Sequence, residues 1–295
     1  MAAKPRFGGT LKTSMGADPP GWSVFTAAGV TGNMNSFAQD KLLEFEAGPG
    51  VDPTSHDLIP GLATAMPEQP DGQTYVFKVR QGVKFQNVAP VNGRPMLIED
   101  VKFAIDTIRT TGTFKKDFEA VTSVTAADAQ TLVVKTDRPY APLLASMTGQ
   151  YGWPIFPKEL VENKLTDTTT MGTGAYIRAE WKQGVQILWK KNPDYWDKTK
   201  GFLDEIQQLI IANADSAVAA FNTSQIDLLT QAVSCVAYPT IKNAEVQQYL
   251  GGNLFASFDT SKPPFNDVRV RKAMWLLYNR EAEAQAIFCG NTRPT

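Results

Sequence analysis

Few residues in this chain are spaced for covalent chemistry. The sole histidine, His56, stands beside Asp57, and any Ser-His-Asp or Cys-His relay would have to pass through it. Its place just before Ile59-Pro60-Gly61 reads as a solvent-facing loop. A single histidine also argues against a zinc site, which usually draws on several His or Cys ligands. Neighbouring acids such as Glu44 with Glu46, or Asp204 with Glu205, can serve glycoside hydrolysis only at the right spatial separation; on sequence they read as solvated surface. Gly172-Thr173-Gly174-Ala175-Tyr176 carries a short glycine pattern but neither the third glycine of a dinucleotide fingerprint nor the Lys-Ser/Thr of a phosphate loop, so it reads as a chain reversal. Cys235 and Cys289 are too far apart for a chelating or redox motif and read as two unrelated thiols. These residues call for no cofactor and no metal.

The elements that would position any site are more legible. Gly9 to Met15 reads as a strand, followed by an Asp18-Pro19-Pro20-Gly21 turn and a loop to Gly29. Val30, Met34, Phe37, Ala38, Leu42 and Phe45 then recur at helical spacing, which predicts one long helix ended by Gly48-Pro49-Gly50. Tyr75, Phe77 and Val79 share one face of a half-buried strand. Val101, Ile105 and Ile108 form a stripe on a helix over Glu99 to Arg109, with Leu97 where a capping side chain would stand, so a frayed first turn is expected. Leu132 to Thr136 is a further strand, and Phe156-Pro157-Lys158-Glu159 leads into a short helix. Two strands around Ala175 to Trp181 and Val185 to Lys190 flank a Lys182-Gln183-Gly184 turn, a hairpin signature. Asp215 is placed to cap a helix containing Ala217, Ala220 and Phe221. Leu254 to Phe258 reads as a strand, and Asp267 as the cap of a helix running to about Phe288.

Length and charge bound the rest. The 295 residues suffice for about two domains. With 29 basic and 30 acidic residues the net charge is -1, which gives no drive toward nucleic acid or an anionic membrane. No apolar run approaches the roughly 18 residues of a spanning helix. The first ten residues lack the apolar core of a secretory signal, so either an export segment was removed or the reading frame began late.

The stretch Asp259-Thr260-Ser261-Lys262-Pro263-Pro264-Phe265-Asn266-Asp267-Val268-Arg269-Val270-Arg271-Lys272-Ala273 joins a double-proline turn to a helix start and a fixed Arg-x-Arg. Together with Ile59-Pro60-Gly61-Leu62-Ala63, Tyr75 to Phe85, Glu99-Asp100-Val101, Gly172 to Tyr176 and Asn192-Pro193-Asp194-Tyr195-Trp196, in that order, it resembles the family-five extracytoplasmic solute-binding proteins of the dipeptide, oligopeptide and nickel-binding type. The resemblance covers nearly the whole chain.

It implies an α/β, periplasmic-binding-protein-like fold of two lobes with a mixed sheet, an α+β insertion and a second lobe that is only begun. The implied divisions are residues 1–50 and 172–262 for the first lobe, 51–171 for the insertion and 263–295 for the start of a truncated second lobe. Met274, Trp275, Leu276, Leu277, Ile287 and Phe288 would then lack packing partners, and this length alone would bind solute weakly or not at all. Where relatives have Gly after the helix at Asp215, this chain has Ser224, which costs about 1 kcal/mol if positive φ is required. Tyr195 and Trp196 are implied to seal the lobe rather than form a sugar-stacking platform.

The implied function is non-enzymatic: capture of a small extracytoplasmic solute, most often a peptide, for the permease subunits of an ATP-binding-cassette importer. Two segments are candidates for touching ligand. Phe25-Thr26-Ala27-Ala28-Gly29 sits where relatives offer backbone groups to an extended ligand, and its small residues permit close approach. Tyr151 and Trp153 flank a glycine in a stretch that lines the cleft in several relatives; they either stack on ligand or, in the case of Trp153, fill the core. The alternatives are a secreted hydrolase using paired carboxylates and a solute receptor for a membrane sensor.

Overall fold

The hairpin expected at Lys182-Gln183-Gly184 forms as β8 (Tyr176–Lys182) and β9 (Gln186–Lys191). The computed structural model describes residues 6–25, 29–48, 50–52, 55–113, 115–149, 152–231, 233–245 and 257–288. Gly184 has φ +71°, the left-handed conformation that glycine takes without steric cost. β10 (Glu205–Ile210) pairs antiparallel with β9, and β1 (Thr10–Met15) pairs parallel with β10. The order β1-β10-β9-β8 is therefore the mixed sheet expected of the first lobe.

α1 (Gly29–Ala38) packs Met34 and Ala38 against Trp22, Tyr176, Ile187, Trp189 and Ile206. The helix is shorter than its apolar spacing predicts. Gly174 donates its N–H to the Ala38 carbonyl at 2.9 Å, and a Cβ on Gly174 would lie 2.5 Å from the Ala38 carbonyl carbon. The two glycines of Gly172-Thr173-Gly174 thus serve close approach of backbone to the helix end, a different reason from the reversal expected of them. Released from the helix, β2 (Leu43–Phe45) pairs antiparallel with β3 (Leu58–Pro60).

A second sheet comprises β4 (Glu68–Asp71), β5 (Thr74–Lys78), β6 (Val121–Asp128) and β7 (Thr131–Thr136) in the order β4-β5-β7-β6, antiparallel throughout. Tyr75, Phe77 and Val79 are buried on its inner face as their alternation predicts. α2 (Ile98–Thr111) covers that core with Val101, Ala104, Ile105 and Ile108. Leu97 supplies no cap, yet the first turn is held another way. The Asp100 carboxylate accepts the Leu97 N–H at 2.9 Å, and Arg94 donates to Asp100 at 2.7 Å and to Glu159 on α4 (Lys158–Glu162) at 2.7 Å. Those two carboxylates raise the Arg94 pKa, and Arg94 in turn holds Glu159 below the usual carboxylate range.

Three expectations shift further along the chain. α5 (Ala214–Asn222) is capped by Asn213, whose Oδ1 accepts Ser216 N–H at 2.8 Å, while Asp215 lies in the first turn. The expected helix from Asp267 is capped there, with Arg269 N–H at 2.8 Å, but it breaks into α6 (Val268–Leu277) and α7 (Arg280–Phe288). Asn279 causes the restart: its Oδ1 accepts Ala282 N–H at 2.9 Å. Cys235 is disulfide-bonded, which corrects the reading of two unrelated thiols. Ser224 does adopt φ +56°, as its place after the helix requires. Most of the strand expected over Leu254 to Phe258, and the side chains of Ile287 and Phe288, lie outside the described residues.

Candidate ligand-binding face and the joint behind it

The loop after β1 is pinned by aromatic packing. Trp22 is fully buried, edge-on to Trp181 and Trp189 with centroids 5.5 and 5.8 Å away, and the Arg178 guanidinium lies 4.3 Å over its ring. The first turns of α1 reach back to hold the loop backbone: Thr31 Oγ1 donates to Gly21 O at 2.9 Å and Asn35 Nδ2 to Trp22 O at 3.2 Å. Phe25 then bridges to the end of α2. Its carbonyl accepts both the N–H and the hydroxyl of Thr113, at 2.8 and 2.9 Å, just past α2. Its ring stands edge-on to Phe156 at 6.0 Å. The segment expected to offer main chain to a ligand is therefore anchored at Phe25 and again at Gly29, where α1 begins. Thr26, Ala27 and Ala28 lie between those anchors, outside the described residues, as does Tyr151.

Trp153 is placed differently from an exposed platform. Its ring is 1% exposed and lies 4.9 Å from Phe118, and its backbone N–H donates to Met147 O at 2.8 Å. The indole face is occupied by protein, so Trp153 fills the core and offers no stacking surface. Phe25 and Trp153 nonetheless belong to one apolar cluster, with Phe25 on its margin.

The residue that sequence reasoning passed over is Asp40. It is a buried carboxylate at the end of the α1 stretch, accepting Trp196 Nε1 at 2.8 Å, Thr173 Oγ1 at 2.9 Å and the Tyr195 hydroxyl at 3.2 Å. Its own carbonyl accepts Ile155 N–H at 2.9 Å. Burial pushes its pKa up to about 6, against the lowering effect of the three donors. Tyr195 is raised in turn, first by burial and then by the Asp40 charge. Next door, Lys41 donates to the Thr148 and Gly149 carbonyls at the end of α3 (Leu143–Thr148), at 3.0 and 2.6 Å, and burial lowers its pKa to about 8. Glu44 pairs with Lys200 at 2.5 Å. A cavity of about 330 Å³ opens beside these groups, lined in part by Gln39, Asp40, Lys41, Glu44, Tyr195 and Lys200.

This arrangement ties elements together; it is not set up to react. Asp40 joins the chain leaving the first sheet to Thr173, where it returns, and to Asn192-Pro193-Asp194-Tyr195-Trp196, of which Tyr195 is buried and Trp196 packs against the second sheet's core. A signal did exist. Tyr and Trp carry polar handles that need partners when buried, and an Asp flanked by Ala38 and Leu42 is the obvious supplier. The other polar candidates are ordinary surface. His56 is exposed and edge-on to Phe45 at 5.4 Å, and Glu44 is neutralised by Lys200. Among the described residues no helix is long and apolar enough to cross a membrane.

Comparison with known proteins follows the same lines. The chain is 25% identical over 264 residues to the oligopeptide-binding protein OppA of Bacillus subtilis, covering 79% of this chain and 47% of that protein. It is also 25% identical over 276 residues to heme-binding protein A of Haemophilus influenzae, covering 85% and 49%. The periplasmic binding protein DppA of Helicobacter pylori, solved with the peptide STSA, superposes with a TM-score of 0.85 at 25% identity, over 98% of this chain and 60% of that one. The chain thus spans about half the length of the curated relatives it matches. The family described as bacterial extracellular solute-binding proteins, family 5 Middle, matches residues 57–295, and this chain belongs to that family of non-enzymatic, extracytoplasmic solute binders.

Proposed function

We propose that this chain supplies the first lobe of a clamp that captures a small extracytoplasmic solute, most often a peptide, and presents it to the permease subunits of an ATP-binding-cassette importer. The observation that carries the reading is the double anchoring of the loop after β1, at Phe25 through Thr113 and at Gly29 through α1. The small residues between those two positions let main chain approach a ligand closely. The peptide-bound DppA fold supports the same cargo class. The ligand lies against residues Phe25 to Gly29 and beside Tyr151, while Trp153 buttresses that segment from the core. Residues 1–50 and 172–262 act as the first lobe, 51–171 as the insertion, and 263–295 lead toward the second.

The mechanism needs no bond to break. Ligand contacts made by both lobes stabilise the closed state over the open one, and the closed shape is what the membrane partner reads. Small-angle scattering of the intact gene product with and without di- to pentapeptides tests this. The expected result is a smaller radius of gyration with peptide, abolished when Phe25 and Tyr151 are both changed to Ala. Peptide turnover, or binding without any change of shape, would overturn it.

A further inference from the structure

We propose that the cavity beside Asp40 is a second ligand site, which takes one free amino acid with an apolar side chain: Glu44 receives its ammonium and Lys200 its carboxylate. The cavity, of about 330 Å³, is built where several stretches of chain meet. Phe37 comes from α1, Glu44 and Phe45 from β2, Tyr176 from β8 and Lys200 from the loop after β9, with Thr148 at the end of α3. Phe25 and Trp153 do not line it. The site is therefore separate from the segment proposed for the transported cargo and does not rest on the clamp reading.

Charges of both signs line this space. Asp40 and Lys41 are fixed in its wall: the Asp40 carboxylate accepts three donors, and Lys41 Nζ donates to the Thr148 and Gly149 carbonyls at 3.0 and 2.6 Å. Glu44 and Lys200 are held less firmly. They pair at 2.5 Å from separate segments, with side chains 27 and 40% exposed. Such a pair contributes little, because water competes for both charges. The Lys200 ammonium has three donors, of which Glu44 takes one, and Asp197 lies 3.9 Å away. The pair can thus open onto a molecule that offers both of them an opposite charge. A singly charged ligand would satisfy one partner and leave the other unpaired, whereas a zwitterion replaces one ion pair with two.

The rest of the wall selects the side chain. The rings of Phe37 and Tyr176 stand edge to face with centroids 6.1 Å apart, and Phe45 is edge-on to His56 at 5.4 Å. Rings already packed in this way can cover an aliphatic group with little further ordering. Size narrows the class again. A volume of about 330 Å³ lies at the small end of ligand pockets, which run from roughly 300 to 1,000 Å³, and suits a single amino acid better than an extended peptide.

The test uses the intact gene product and L-photo-leucine, a free amino acid whose side-chain diazirine cross-links to its neighbours on irradiation. The expected result is labelling of peptides that carry Phe37, Phe45 or Tyr176. L-leucine should compete for it, and isoamylamine and 4-methylpentanoate, which keep the hydrocarbon but carry only the ammonium or only the carboxylate, should compete about tenfold less well. Glu44→Gln and Lys200→Met should each reduce labelling about tenfold, with hydrogen exchange of β8 to β10 unchanged as the control for folding. Labelling at Phe25 instead would assign the amino acid to the cargo segment and overturn the second site while leaving the clamp reading intact. Equal competition by the singly charged analogues, labelling unchanged in both variants, or no labelling at millimolar probe would each overturn it as well.

Discussion

Val101, Ile105 and Ile108 on α2 and Trp275, Leu276 and Leu277 on α6 are large apolar residues on helices, yet they meet opposite surroundings. The first three are 0 to 3% exposed, and the second three are 64 to 82% exposed. The pattern explains the difference. On α2 the apolar residues recur at three- and four-residue steps, so they form one stripe that a single sheet can cover. On α6, Met274 to Leu277 are contiguous and point to several sides of the helix, which no one neighbouring sheet can satisfy. α2 shares a closed core with the second sheet, whereas α6 presents surface for contacts that the described residues do not make. In the proposed clamp, that surface belongs to the second lobe.

The contrast can be broken by mutation. Phe77→Ala in the insertion core, where the side chain is 0% exposed, should cost about 3–5 kcal/mol in urea unfolding. A loss below about 1 kcal/mol would mean that this core does not hold the insertion together.

Asp40 at the joint should show itself through pH. Its folded pKa is raised from 3.8 to about 6, so the native state binds the proton more tightly than the unfolded chain. The stability it contributes is fully present below pH 3.8 and is lost as pH rises through 6, by about 3 kcal/mol. Asp40→Asn should flatten stability between pH 4 and 6 by that amount. Parallel curves for the two proteins would contradict the assignment.

Ser224→Gly should stabilise by about 1 kcal/mol, because φ +56° strains serine and suits glycine. Thermal melts at matched pH measure it, and a destabilised variant would show that the serine side chain has a role not visible in its backbone. At the weak end of the comparison, Leu276→Ser at an 82% exposed site should change the stability of residues 1–295 by less than about 0.5 kcal/mol. A core-sized loss there would erase the distinction between the two helices.

Local signals read well where local physics decides. The Gly184 hairpin, the buried face of Tyr75, Phe77 and Val79, the α2 stripe and the Asp267 cap all follow from spacing and turn chemistry. α1 was over-extended because Leu42 and Phe45 fit helical spacing and strand burial equally. What ends the helix is Gly174, more than a hundred residues away, pressed against Ala38. The Asn279 break divided a helix that its apolar content made continuous, and Asn213 displaced Asp215 as cap because both residue types compete for that place. Trp153 and Asp40 show the limit most clearly. Whether an indole faces ligand or core, and whether a carboxylate meets water or three buried donors, depends on which distant segments close over it. The joint around Asp40 was not legible in the sequence.

The central claim is that this protein holds a solute and lets it go unchanged. Native mass spectrometry of the intact gene product, purified without exchange of bound ligand and then denatured, tests it most directly. The account predicts one small solute per protein, a peptide by its fragmentation, recovered intact after incubation with fresh protein. Recovery of a cleaved or otherwise converted molecule, or protein that carries and accepts no such solute, would contradict it.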